Sequence, residues 1–265
     1  MFIHILGSCS GTEPMPGRDY TSWILEEDCG DILWFDAGAA CSAHAYRKGL
    51  DPLKAKALFL SHPHGDHTGG LQGIMGVISK AKWLRNDPDI FRELPCYTAV
   101  PEVIEAAHKL CCLSSQKDCW EITPEIHLIE TPGEIFSDAE ITVDTLPNLH
   151  MRLHPETGRH QSWSFRIRRR KNGDATVYTG DVKSLDELAA WLETPTRLLM
   201  LETGHHRADE LCKMIRERNW PIEELLFVHH GLEILRDPAG EKAKADAVWG
   251  KPVLFADDGM TLAFR

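Results

Sequence analysis

No run of the chain approaches the ~20 consecutive apolar residues that a membrane-spanning helix requires, which argues against a membrane protein. The first residues, MFIHILGSCSG, have no basic head, no long apolar middle and no small-residue cleavage site. They do not read as a secretion signal, and a cytoplasmic location is expected. No Cys-x-x-Cys pair occurs, although eight cysteines stand at Cys9, Cys29, Cys41, Cys96, Cys111, Cys112, Cys119 and Cys212. Without a secretory signal these read as reduced, mostly buried small side chains and not as a disulfide framework. Positive charge is scarce: 29 Lys and Arg against 40 Asp and Glu leave a formal net charge of −11. Such a chain is a poor general nucleic-acid binder, because phosphate contact needs clustered Lys and Arg. Internal repeats and low-complexity linkers are absent too, so residues 1–265 read as one domain. What is left is an ordinary globular composition, 43% hydrophobic and 26% charged, with one odd number: 14 histidines.

Apolar runs predict strands at 2–6, 21–26, 32–38 and 55–62, the second and third joined by a tight turn at Cys29-Gly30-Asp31. A helix is expected over 39–49, and two more over 71–80 and 101–114, with a strand at 97–100 between them. The second half restarts with strands at 125–130, 134–147, 161–170 and 175–181. A helix at 184–193, a strand at 197–203, a helix at 207–218 and a strand at 224–230 follow. The last segment, PVLFADDGMTLAF, reads as a closing pair of short strands. Two successive sets of strands followed by helices imply an α/β fold with two sheets packed face to face and helices outside.

The histidines concentrate at His62-Pro63-His64-Gly65-Asp66-His67, where the strand ALFLS ends. A single core histidine is usually a satisfied hydrogen-bonding residue. Three of them with an aspartate, wrapped by Pro63, Gly65 and Gly69-Gly70, form a loop shaped to turn side chains inward. Imidazole and carboxylate together suit zinc or another first-row divalent metal better than calcium or magnesium. Four ligands exceed what one open catalytic site takes from one loop, so a two-metal site is the natural reading.

This loop resembles the His-x-His-x-Asp-His segment of the metallo-β-lactamase fold at every position. By that resemblance His62 and His64 hold the first metal, while Asp66 and His67 hold the second, Asp66 standing among the catalytic groups as well. The family takes three further ligands from later strand ends. Leu146-Pro147-Asn148-Leu149-His150 resembles the first of these, with His154 and His160 as competitors; the strand-end placement favours His150. Tyr178-Thr179-Gly180-Asp181 resembles the bridging carboxylate, the ordinary alternative being that Asp181 caps the helix starting near Ser184. His229 and His230 point to opposite faces of an extended strand, so one of them is the last ligand. Resemblance to family members with Thr-His at this strand end favours His229.

The opening Leu6-Gly7-Ser8-Cys9-Ser10-Gly11-Thr12 and Ile32-Leu33-Trp34-Phe35-Asp36-Ala37-Gly38 resemble the ribonuclease Z and phosphodiesterase branch, where the Phe-Asp-x-Gly hairpin supports the metal loop. The resemblance covers nearly the whole chain. It implies a four-layer αβ/βα sandwich of two mixed β-sheets with helices outside, and it is compatible with a homodimer.

Two divalent ions (zinc, with manganese or iron as alternatives) lower the pKa of a bridging water and give a hydroxide nucleophile at neutral pH. They also stabilise charge on a phosphoryl or carbonyl oxygen, so hydrolysis is expected. Redox chemistry on this fold usually replaces a loop histidine by glutamate, and the intact His64 argues against it. Glu202-Thr203-Gly204-His205-His206 follows a strand, where the phosphodiesterase branch keeps a Glu and a His that assist the leaving group. His205, with His206 as alternative, is the expected general acid or phosphate contact. The basic run Arg166-Ile167-Arg168-Arg169-Arg170-Lys171 reads as an exposed edge strand protected from pairing. No long basic, glycine-rich arm of the tRNA-processing kind is present. The expected substrate is a small phosphodiester, a cyclic nucleotide or related ester. An acyl or thioester hydrolase of the lactamase or glyoxalase kind is the first alternative, and a tRNA 3′-processing endonuclease the second.

Overall fold

A computed structural model describes residues 1–12, 15–87, 89–90, 93–114 and 122–264; Cys119 lies outside them. The chain divides into two compact units, one made of Met1–Gly7, Pro16–Ile129 and Asp257–Arg265, the other of Ser8–Met15 and Glu130–Ala256.

The first unit holds strands β1 (Phe2–Gly7), β2 (Ser22–Glu26), β3 (Ile32–Phe35), β4 (Ala55–Phe59), β5 (Glu93–Thr98), β6 (Thr123–Leu128) and β14 (Thr261–Ala263). Their order is β14-β1-β2-β3-β4-β5-β6, antiparallel from β14 to β3 and parallel from β3 to β6. Each parallel step needs a crossover. These are supplied by α1 (Cys41–Arg47), by α2 (Gly65–Thr68) with α3 (Leu71–Arg85), and by α4 (Pro101–Ser114). Leu71, Ile74, Met75 and Ile78 fall at helical spacing on α3 and bury against Trp34, Leu58 and Leu60. Trp23, Phe35, Phe59, Tyr97 and His127, one from each of β2 to β6, form a ladder of stacked rings with centroids 4.1–4.8 Å apart.

The second unit repeats this plan. Its strands are β7 (Gly133–Ser137), β8 (Ile141–Pro147), β9 (Trp163–Arg169), β10 (Ala175–Tyr178), β11 (Thr196–Thr203), β12 (Ile222–His230) and β13 (Leu254–Phe255). The order is β13-β12-β11-β10-β9-β8-β7, antiparallel from β7 to β10 and parallel from β10 to β13. The helices are α5 (Ala189–Leu192), α6 (Ala208–Glu217), α7 (Leu232–Arg236) and α8 (Pro238–Trp249). Leu211, Cys212 and Ile215 of α6 and Ala245 of α8 pack on Leu199, Leu201, Leu225 and Phe227.

Several expectations are corrected. Residues 134–147 are not one strand but the β7–β8 hairpin, its turn held by Asp138 Oδ1, which accepts from the amides of Glu140 and Ile141. The two short strands of the last segment do not pair with each other, because β13 joins β12 and β14 joins β1. The basic run does not lie on an edge strand. β9 pairs with β8 and β10, and Arg166 and Arg168 reach Asp144 of β8 at 3.2 and 3.0 Å. The helix expected over 184–193 is a 3₁₀ turn at Leu185–Leu188 followed by the single turn of α5. The seven described cysteines are all free thiols, and burial pushes Cys41 and Cys96 up to about 12. Among the described residues no helix is long and apolar enough to cross a membrane.

Candidate metal centre

In the first unit the histidine loop follows β4 and runs into α2. It is tied to the segment after β3: the Ala37 amide donates to His67 O at 2.6 Å, and the Gly70 amide to Ala37 O at 2.7 Å. A Cβ on Gly70 would lie 2.3 Å from Gly38 O, so this close approach requires glycine. Asp36 is fully buried with φ of 53°, a left-handed conformation that is uncommon outside glycine and concentrates at functional positions.

The hydrogen bonds around Asp36 fix where the protons sit. The amide of Ser61 donates to Asp36 Oδ1 at 2.7 Å and its hydroxyl to Oδ2 at 2.8 Å. His67 Nδ1 lies 2.8 Å from Oδ2 and must donate, since a carboxylate only accepts. With its own proton committed to Asp36, the Ser61 hydroxyl accepts from His62 Nδ1 at 3.0 Å. Both Nε2 atoms are thereby left as lone pairs, the tautomer a metal ligand needs. His62 Nε2 lies 3.0 Å from His64 Nδ1, and Asp66 Oδ2 lies 3.7 Å from His67 Nε2.

In the second unit, His150 follows β8 on a segment held by its neighbours. Asn148 donates to Ser164 Oγ at 3.1 Å, and Glu187 accepts from the Leu149 amide at 2.8 Å. Asp181 follows Gly180, whose φ of +55° turns the chain after β10. It does not cap the next helical turn; Ser184 does, accepting from the Asp186 amide. The β11–β12 register pairs Glu202 with Val228 and Thr203 with His230, so His229 is bulged out between them, at φ 51°. A Cβ on Gly204 would lie 2.7 Å from His229 Cδ2, so the neighbouring strand end leaves room for that ring only as glycine.

Asp181 Oδ2 is the meeting point of this unit's groups. His229 Nε2 lies 3.2 Å from it, His150 Nε2 3.6 Å and His205 Nδ1 3.8 Å. The first distance is at the long end of a hydrogen bond and the other two are beyond one, so three imidazole nitrogens gather round one carboxylate oxygen as the ligands of a divalent metal would. Glu202, buried, grips His205 twice, accepting from its amide at 2.9 Å and its Nδ1 at 3.0 Å. The His205 side chain is still 48% exposed.

Of the competing histidines, His230 is committed elsewhere through both ring nitrogens, Nδ1 on Thr203 Oγ1 and Nε2 on the Ala256 carbonyl. His154 Nδ1 accepts from the amides of Glu156 and Thr157 in a local turn, and the His160 ring packs edge-on to Trp163 with centroids 6.0 Å apart. His206 Nε2 donates to the Val182 carbonyl at 2.8 Å. Sequence reasoning did not single out Ser61, whose only signal is its place between the strand and the first loop histidine. It noted Glu202 without foreseeing that three residues of spacing let one carboxylate hold both ends of His205.

Two mixed seven-stranded sheets with helices around them, each bearing histidines and aspartates at its strand ends, define the metallo-β-lactamase fold with candidate metal-ligating groups. The chain belongs to the Beta-lactamase superfamily domain family, whose pattern matches residues 33–236. It is 32% identical over 143 residues to a protein named Ribonuclease Z from Treponema denticola, a match covering 52% of this chain and 41% of that protein. The chain thus spans less than half the length of that relative. Among solved structures, the metallo-β-lactamase fold protein YhfI of Bacillus subtilis aligns with a TM-score of 0.71 at 20% identity over 98% of both chains. The short form of human tRNase Z aligns with a TM-score of 0.71 at 17% identity over 100% of both.

Proposed function

We propose that the chain is a two-metal phosphodiesterase acting on a small ester, with His62, His64, Asp66, His67, His150, Asp181 and His229 as ligands and Asp181 as the shared carboxylate. The lone-pair tautomers of His62 and His67 and the gathering of His150 and His229 round Asp181 Oδ2 support this ligand set, and its mixed imidazole and carboxylate character would suit zinc. When bound, such ions supply an activated water at neutral pH and stabilise charge on a phosphoryl oxygen. The chain's own residues do the rest. Asp36 and Ser61 hold two imidazoles in the ligating tautomer, and Glu202 orients His205.

The observation that carries the phosphodiester reading is the Glu202–His205 pair, 3.8 Å from Asp181. A thiolate leaves without help, whereas an alkoxide leaving from phosphorus needs a proton. An imidazole oriented through Nδ1 by a buried carboxylate is placed to supply it from Nε2. His206, tied to the Val182 carbonyl, is less suited to this role. A second reading, tRNA 3′-processing, is favoured by the relatives named Ribonuclease Z; the net charge of −11 weighs against it.

The test is to assay the zinc- and manganese-loaded protein on bis(p-nitrophenyl) phosphate, a cyclic nucleotide, a thioester, a lactam and a precursor tRNA. Turnover of bis(p-nitrophenyl) phosphate is expected to survive His205→Ala with little loss, because nitrophenolate leaves without a proton. Turnover of the cyclic nucleotide, whose leaving group is an alkoxide, is expected to fall by at least about tenfold in His205→Ala and less in His206→Ala. Robust thioester hydrolysis without phosphodiester turnover would overturn the reading. Cleavage of the precursor tRNA far in excess of the small ester would replace it by the second.

A further inference from the structure

Beside His205 the second unit carries an open groove of about 550 Å³, within the range of small-molecule sites. Its walls include His205, His206, Arg207, Glu210, Glu233 and Glu241. We infer that this groove receives the leaving group and that its carboxylates select a neutral, hydroxyl-bearing leaving group over an anionic one. The inference rests on the phosphodiester reading and deepens it.

The position follows from the proton donor. A leaving oxygen protonated by His205 carries the rest of its group along the surface next to that ring, and the groove begins there. The selectivity follows from Arg207. A lone guanidinium in such a place would attract a phosphate-bearing group. Here Arg207 Nε lies 3.3 Å from Asp209 and 3.7 Å from Glu210, and Nη1 lies 3.5 Å from Glu233. One cation faces three carboxylates, so an incoming anion meets net repulsion. Glu241 is held by Lys244 at 2.5 Å and adds no unbalanced charge. Glu210 and Glu233 are 71% and 65% exposed, which leaves them accessible as acceptors for hydroxyl or N–H donors and makes their field sensitive to salt.

The experiment compares two esters with the same methyl phosphoryl group: methyl 4-nitrophenyl phosphate, with a leaving phenol of no added charge, and methyl 4-carboxy-2-nitrophenyl phosphate, whose leaving group carries a carboxylate. With the metal-loaded full chain, kcat/KM is expected to favour the first by about tenfold at low salt, shrinking as salt is added. The double variant Glu210→Gln, Glu233→Gln is expected to bring the ratio close to one. Metal content and melting temperature are measured alongside, and substitution of two exposed side chains leaves the fold intact. Equal use of both esters by the native chain, or a ratio unmoved in the double variant, would overturn the inference. Failure to hydrolyse either ester, or bis(p-nitrophenyl) phosphate, would instead overturn the phosphodiester reading beneath it and the inference with it.

Discussion

Replacing Asp36 by asparagine changes almost no volume, tolerates the left-handed φ of 53°, and yet reverses one hydrogen bond that matters. The amide oxygen still accepts from the Ser61 amide, which in the native chain lies 2.7 Å from Oδ1. The amide nitrogen takes the place of Oδ2, which in the native chain accepts from Ser61 Oγ and His67 Nδ1, each at 2.8 Å. A donor there forces His67 Nδ1 to accept, which moves the imidazole proton to Nε2, the atom a metal would use. A hydrogen bond to a charged group is worth about 1.5–3 kcal/mol. At about 1.4 kcal/mol per decade that becomes a loss of roughly 10–100-fold in zinc affinity, the usual range for outer partners of ligating histidines. Asp36→Ala removes all three hydrogen bonds, orphans the buried Ser61 amide and puts alanine in a left-handed conformation. It is expected to cost a further 2–4 kcal/mol or so of folding stability. Competition with a chromophoric chelator measures the affinity, ¹⁵N shifts of the imidazoles report the tautomer, and urea melts report stability. If Asp36→Asn binds zinc as tightly as the native chain while Asp36→Ala merely melts earlier, Asp36 is a packing group and the proton-placement argument is wrong.

Three other outcomes are expected. Gly204→Ala puts a methyl 2.7 Å from His229 Cδ2 and should cut activity by at least about tenfold with modest loss of stability, the size of a local overpacking penalty; unchanged kcat/KM would refute the close-approach argument. Asp144→Ala strands Arg166 and Arg168 and should lower stability by about 1–3 kcal/mol; a double-mutant cycle with Arg166→Ala should be non-additive, and additive melts would show that the pair is idle. Cys41 and Cys96, raised by burial from about 9 to about 12, stay neutral in the folded chain, while the unfolded chain releases these protons above pH 9. Their stabilising contribution is full below pH 9 and lost between 9 and 12, so urea midpoints should fall across that window and fall less in Cys41→Ala, Cys96→Ala; an identical slope would refute it. Native-state alkylation near pH 8 should mark the exposed Cys29 and spare those two.

The parts of the fold legible from the sequence are those where local pattern and tertiary environment agree. The buried runs of β1, β3 and β4 are continuous apolar segments, and α3 and α4 show their apolar faces at helical spacing. Helix α8 escaped because its fully buried residues are only Glu241 and Ala245, with Val248 and Trp249 packed on the core just at its end, and α7 because five residues are too few to show a period. Its ends were nonetheless marked, by Asp237 accepting from the Gly240 amide, Pro238 in the first turn, and Gly250 at φ +83° beyond the last. The basic run was misplaced because charge is visible in a sequence while its partner, Asp144 on the preceding and paired strand β8, is not. At the site, the metal loop was plain because its residues are contiguous. Strand alternation said only that His229 and His230 face opposite ways, and resemblance favoured His229; the bulge and left-handed φ that set where the His229 ring lies are not visible in the sequence.

The strand β14 has a consequence for how the chain is made. β1 pairs with β2 on one side and with β14 on the other, Phe2 facing Ala263 and His4 facing Thr261. On a ribosome the first six strands of that sheet emerge early, and the whole of the second sheet must be synthesised before β14 appears. At about 5–20 residues per second this leaves β1 an open edge for on the order of 10 s. An unpaired edge is a template for another chain. Nascent protein is therefore most exposed to misassembly in that interval, and a short peptide of the Thr261–Ala263 region supplied in trans would compete for the same edge.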